Sequence, residues 1–220
     1  IQERVKDKGV SVRKRAIRSM RNMLLNLHNY ARRTDIMMAF AERMADVLEQ
    51  DSIKISIMDI FKEMWLEGTG GLLLSNSQVK KQAQLAKITA HDIIDFIARA
   101  TSSMDWFVDM LKSAFEAKTS ASGKDQTDDR KSLKQHATNI VSCLVDGLVS
   151  LDAMPDTPGQ ERRVNLFSKS FDKALTVPVV RMSIFAALRV FASADPSLVL
   201  PHTPVFCVYL KHGQDGGEGD

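Results

Sequence analysis

Apolar residues recur every three to four positions through most of the chain, and no stretch keeps the strict alternation of a half-buried strand. The spacing predicts a helix over residues 12–27, with Val12, Ala16, Ile17, Met20, Leu24 and Leu27 on one stripe. A second is predicted over 34–50, with Thr34 as N-cap and Ile36, Met37, Phe40, Met44, Val47 and Leu48 inward. After the capping pair Asp51-Ser52, a third over 53–66 is expected to bury Ile53, Ile57, Phe61, Met64 and Trp65. Further helices follow near 79–100, 104–117, 131–151, 162–175 and 178–194, and P-S-L-V-L-P opens a last turn toward Tyr209. The connections among the first three are short, so neighbours should run antiparallel.

These elements imply an all-α fold, either a bundle or an α-solenoid of antiparallel helix pairs. Asp7 and Asp51 each precede a strong apolar stripe and lie 44 residues apart, inside the roughly 40–47 residue period of HEAT-type repeats. In D-K-G-V-S-V-R, Val12 and Arg13 stand five and six positions after Asp7, as in the loop-to-helix signature of such repeats. The expected organisation is HEAT repeats with a basic helix over 1–66, a linker over 67–78, a helical repeat over 79–117, a flexible loop over 118–130, further HEAT-like helices over 131–211 and a disordered tail over 212–220. The chain opens mid-pattern without Met and closes on G-Q-D-G-G-E-G-D, as expected of a fragment.

Composition supports the helical class: aromatics are 6% of the 220 residues while Met reaches 11. No apolar run approaches the roughly 18 residues that span a bilayer, so no membrane partner is expected. Cys143 and Cys207 lie far apart in apolar runs and are expected to be buried free thiols. The net charge of +3 conceals an asymmetry, because residues 1–33 carry ten Lys and Arg against Glu3 and Asp7, leaving the other 187 residues at −5. A basic end on a mildly acidic body points to a polyanionic partner.

Five of those cations crowd into V-R-K-R-A-I-R-S-M-R, residues 12–21. At 100° per residue Arg13 projects within the apolar stripe, where a guanidinium must be paired, and Asp7 or an acid of the next repeat is its expected partner. Lys14, Arg18 and Arg21 fall on the opposite side, Arg15 flanks them, and Arg32 and Arg33 arrive from the following loop. No acid interleaves from Gly9 through Thr34. Backbone phosphate binding is the favoured reading, with a solvated face or contact with an acidic protein surface as alternatives.

No catalytic constellation emerges, and an enzyme is not expected. E-G-T-G-G at 67–71 lacks the Lys-Ser/Thr ending of a P-loop. The five histidines form no metal motif, so neither metal nor cofactor is expected, and His91 with Asp95 reads as a surface pair. Trp106 and Phe107 open an apolar stripe with Met110 and Leu111 and read as core.

D-K-G-V-S-V-R-K-R-A-I-R-S-M-R-N-M-L-L and the helix pair ending in I-F-K-E-M-W-L resemble the HEAT-repeat region of the Nipped-B family of cohesin-loading factors. D-W-F-V-D-M-L-K-S-A-F at 105–115, H-A-T-N-I-V-S-C-L-V-D-G-L-V at 136–149 and R-M-S-I-F-A-A-L-R-V-F-A-S-A-D-P-S-L-V-L-P-H at 181–202 look like successive family segments. The resemblance implies a hook-shaped α-solenoid, located in the nucleus on chromosomes, that engages the SMC heads and kleisin of cohesin, grips DNA without strong sequence preference and stimulates cohesin's ATPase. It also implies a tetratricopeptide loader subunit, held through a region this fragment lacks. Lys14, Arg15, Arg18 and Arg21, with Arg32 and Arg33, are the implied contacts with DNA or an SMC head, and Asp7 and Arg13 the implied structural ladder. A HEAT or armadillo adaptor for acidic or linear peptide motifs, such as a transport receptor or phosphatase scaffold, is the competing expectation.

Overall fold

The computed structural model describes residues 2–27, 30–67, 78–100, 103–116, 125–152 and 176–212. After a 3-10 turn at Gln2–Lys6 come α1 (Val10–Asn26), α2 (Arg33–Ala45), α3 (Asp51–Lys62, prolonged by a π turn at Glu63–Glu67), α4 (Gln78–Arg99), α5 (Asp105–Phe115), α6 (Asp125–Asp152), α7 (Val177–Ala194) and α8 (Thr203–His212). Among the described residues there is no β-strand.

The helices stack in two rows. In one, α1 lies on α3, α3 on α5 and α5 on α7; in the other, α2 lies on α4 and α4 on α6. Contacts of α2 with α1 and α3, and of α6 with α5 and α7, tie the rows together. Each helix from α1 to α5 thus lies on the next but one in sequence, the arrangement of an α-solenoid, in which a unit buries its apolar stripe against its neighbours. The Gln2–Lys6 turn packs on α1 and α2 and places Val5 in the core at the N-terminal end of the second row.

The core follows the helical period. Ile17, Met20 and Leu24 of α1 meet Ile36, Met37 and Phe40 of α2 and Ile53, Ile57, Ile60 and Phe61 of α3, all buried. An aromatic chain continues across the stack: Phe61 to Trp65 with centroids 4.7 Å apart, Trp65 to Phe107 at 4.9 Å, and Phe107 to Phe191 at 6.0 Å. Trp106 and Phe107 are therefore packing residues, Phe107 fully buried and Trp106 4.8 Å from Phe61.

Several sequence expectations need correction. Helix α2 stops at Ala45 because the Asp46 carboxylate accepts the Leu48 N–H at 2.9 Å, an Asx turn that offers the backbone an alternative to the helix. Val47 and Leu48, expected inward, are left 89% and 92% exposed. Thr34 is not a cap but lies in the first turn of α2, where its hydroxyl donates to Asp95, and the N-cap of α3 is Gln50 rather than Asp51-Ser52. At the ends of the α1 stripe, Val12 and Leu27 are exposed because α2 and α3 cover only its middle.

Residues 125–130, expected in a flexible loop, form the start of α6. The rest of that loop, the linker at 68–77, the helix expected at 162–175 and the tail from 213 lie outside the described residues, while His212 still belongs to α8. Cys207 is exposed on α8 and Cys143 half-buried, so neither is the fully buried thiol expected. Finally, α7 is long and apolar enough to span a bilayer, with 18 residues of mean hydropathy 1.5. Its contacts with α4, α5 and α6, and the burial of Ile184, Ala187, Leu188 and Phe191, make it a core helix of the stack.

Candidate nucleic-acid interface

Helix α1 begins beside Asp7, whose carboxylate accepts the Gly9 N–H at 2.8 Å. That bond, with Arg4 and Arg13 nearby, holds the Asp7 carboxyl below the usual carboxylate range. Arg13 does not reach the Asp7 side chain. Its Nη1 donates to the carbonyls of Asp7 (2.8 Å) and Lys8 (3.0 Å), and its Nη2 to Glu49 Oε1 (3.0 Å) in the turn between α2 and α3. The Glu49 side chain is 1% exposed, also accepts the Gln50 N–H and lies 3.7 Å from Arg43. Arg13 therefore clamps the entry of α1 to the entry of α3, the next helix of its row.

Arg21 is a second clamp rather than an open cation. Its Nε and Nη2 grip the Glu63 carboxylate bidentately, at 2.8 and 2.6 Å, on the π turn that extends α3. Arg33 departs furthest from its expected place: it is 8% exposed, donates to Asp92 of α4 at 2.9 Å and to the Leu24 carbonyl, and so joins the rows. Asp95, one helical turn on, accepts from Thr34 and from Arg99 (3.0 Å). Asp92 and Asp95 thus belong to the junction of α2 with α4, so Asp95 is buried rather than half of a surface pair, and burial pushes the Asp92 carboxyl up and the His91 imidazole down. Arg32 is exposed and donates to Asp35 at 2.9 Å.

Lys14, Arg15 and Arg18 remain. All three are exposed and, among the described residues, none has an ion-pair partner. Lys8, just before the helix, is likewise exposed and unpaired, a residue that the motif did not single out. Arg4 and Lys6 are taken by Asp7 and Glu42. Beside the free cations runs a groove of ≈ 390 Å³ between α1 and α3, lined by Lys14, Ile17, Arg18 and Arg21 on one side and by Ser52, Ile53, Ser56, Asp59 and Ile60 on the other. The partners Glu49 and Glu63 follow Arg13 and Arg21 by 36 and 42 residues, near the repeat spacing; an acid about one repeat downstream was the available signal for both clamps.

Over 210 residues the chain is 22% identical to Nipped-B-like protein scc-2 of Caenorhabditis elegans, an alignment covering 96% of this chain and 8% of that protein. The human Nipped-B-like protein is also 22% identical, over 209 residues, 94% of this chain and 6% of its own length. Nipped-B-like protein B of Danio rerio is 29% identical over 140 residues, 63% of this chain and 4% of that protein. All three relatives are Nipped-B-like proteins, and two of them align with the chain along nearly its whole length. No family model and no solved structure matches it. The chain spans less than a tenth of the length of these relatives, and its α1 separates into cations committed to the stack and cations that face outward.

Proposed function

We infer that this region is a segment of a cohesin loader and that the outward face of α1 contacts the DNA backbone during loading. The carrying observation is the set of exposed, unpaired cations Lys14, Arg15 and Arg18, preceded by Lys8, on a helix without any acid. Similarity to Nipped-B-like proteins over nearly the whole chain supplies the cohesin context. Cations on a rigid helix suit phosphates spaced along a duplex, and such contacts give affinity with little sequence preference. The loader acts on chromosomes in the nucleus, docks on the SMC heads and kleisin, and stimulates their ATPase as a scaffold rather than as an enzyme. Its tetratricopeptide partner binds elsewhere in the full-length protein.

The test is titration of a mixed-sequence 20-base-pair duplex against the chain at several salt concentrations. Reversing Lys14, Arg15 and Arg18 to Glu should flatten the log-affinity against log-salt slope by about 2.7 units if each meets one phosphate. An unchanged slope would remove DNA from the account and leave an acidic protein surface, such as an SMC head, as the target.

A further inference from the structure

The groove between α1 and α3 sets hydroxyls against cations. On the α1 wall Arg21 is held by Glu63, whereas Lys14 and Arg18 are exposed and, among the described residues, without an ion-pair partner. Ser52 and Ser56 line the α3 wall, and both are exposed. The clamps fix the register of the two walls. Arg13 meets Glu49 and Arg21 meets Glu63, so Ser52, three residues past Glu49, lies toward the Lys14 end of the groove. The two hydroxyls are not equivalent. Ser56 Oγ donates to the Ser52 carbonyl at 2.8 Å, in the second turn of α3, whereas the Ser52 hydroxyl makes no hydrogen bond among the described residues. Ser52 also stands in the first turn of α3, soon after Val47 and Leu48, which are 89% and 92% exposed, so a modifying enzyme has access to it.

We propose that Ser52 is a phosphorylation site whose phosphate is held by Lys14 and Arg18, which withdraws those two cations from DNA. The withdrawal rests on the DNA reading above; the pairing does not. A serine/threonine protein kinase with ATP supplies the group. Ser52 Oγ forms a bond to the γ-phosphorus, the bond from that phosphorus to the bridging β-phosphate oxygen breaks, the hydroxyl proton passes to the kinase's base, and ADP leaves. The ester carries about −1.5 to −2 charge at pH 7 and three strong acceptor oxygens, a match for one lysine and one arginine. Little nearby opposes it. Asp59, the one acid that lines the groove among the described residues, is seven helical residues beyond Ser52, or about 10 Å at 1.5 Å per residue, and Asp51 projects about 100° away around α3. Arg15 does not line the groove and keeps its outward charge, so the modified chain binds DNA more weakly rather than not at all.

The full chain made with phosphoserine encoded at position 52 tests the pairing without DNA. In phosphorus NMR the second ionisation of the phosphate, near pH 6 in an exposed ester, should fall by about 0.5 unit or more, and should return to its ordinary value with Lys14→Gln and Arg18→Gln together. Duplex titration of the same proteins reads the consequence. Phosphoserine should flatten the salt slope by about 1.8 units, two contacts at 0.9 each, and should remove little more where Lys14 and Arg18 are already Gln. Phosphopeptide mapping of the full-length protein from dividing cells should find the phosphate on Ser52 in the tryptic peptide Met44–Lys54. A phosphate that titrates alike with and without Lys14 and Arg18, or a Met44–Lys54 peptide recovered only unmodified, would overturn the proposal. A lowered ionisation with an unchanged slope would overturn the withdrawal if charge reversal at Lys14, Arg15 and Arg18 still flattens that slope, and would otherwise count against the DNA reading.

Discussion

Replacing Arg13 with Ala should cost stability before it costs binding. Arg13 makes three bonds from a side chain 12% exposed, to two backbone carbonyls and to a Glu49 carboxylate that is 1% exposed. Removing one partner of a buried ion pair typically costs about 3–5 kcal/mol, because the survivor keeps its desolvation penalty. Here Arg43 stands 3.7 Å from Glu49 and the Gln50 N–H still donates to it, so part of the carboxylate's solvation survives. We therefore expect about 2–4 kcal/mol for Arg13→Ala, a large share of the roughly 5–15 kcal/mol that holds a domain folded. Arg13→Lys keeps the charge but not the planar fork that serves three acceptors, and should recover only part of the loss.

Urea unfolding followed by circular dichroism reads this directly. With a slope of about 1–3 kcal/mol per molar urea, the midpoint should fall by about 1 M or more. Glu49→Ala alone should be similarly costly, and the double variant less costly than the sum by about 1 kcal/mol or more, since the two share one interaction. A midpoint shift below about 0.3 M for Arg13→Ala would refute the clamp.

Arg33→Ala should destabilise on the same scale, by about 2–4 kcal/mol, since it strands Asp92 and the Leu24 carbonyl between the rows. The exposed Lys14→Ala should stay within about 0.5 kcal/mol on the same urea curves. Burial holds the His136 imidazole below its ordinary value despite its hydrogen bond to the Trp65 backbone, and burial lowers His91 too. Between those lowered values and about 6.5 the unfolded chain binds more protons, so their stabilising contribution is complete above pH 6.5 and fades as pH falls through that window. Urea midpoints measured from pH 7.5 to 5.5 should fall, and less steeply in His136→Asn. Iodoacetamide on the native chain should label the exposed Cys207 well before Cys143, whose half-burial raises its thiol.

What the sequence made legible was whatever obeys a local period. Ile53, Ile57, Phe61 and Trp65 could be placed in the core because a buried stripe repeats every 3.6 residues, whatever the partner. Val47 and Leu48 fitted the same stripe and failed, because the Asp46 side chain captured a backbone N–H and ended α2 before them. The basic cluster was visible as a cluster, but its division of labour was not. Arg21 and Arg33 are committed to Glu63 and Asp92, 42 and 59 residues away, and no helical wheel of α1 or α2 contains those acids. Arg13 was legible as structural from its face alone, while its true acceptors, the Asp7 and Lys8 carbonyls and Glu49, depend on how α1 sits on α3.

That division is the central claim, and Arg18 against Arg21 tests it most directly. Both belong to one basic run, three residues apart on one helix, and both lose their charge on substitution with Gln. The measurement is the salt slope of duplex-DNA binding for Arg18→Gln and Arg21→Gln beside the wild-type chain. Arg18, unpaired and exposed, should lower the slope by about 0.9 unit, whereas Arg21, held bidentately by Glu63, should leave it unchanged. Equal losses from the two variants, or a loss from Arg21→Gln alone, would contradict the account.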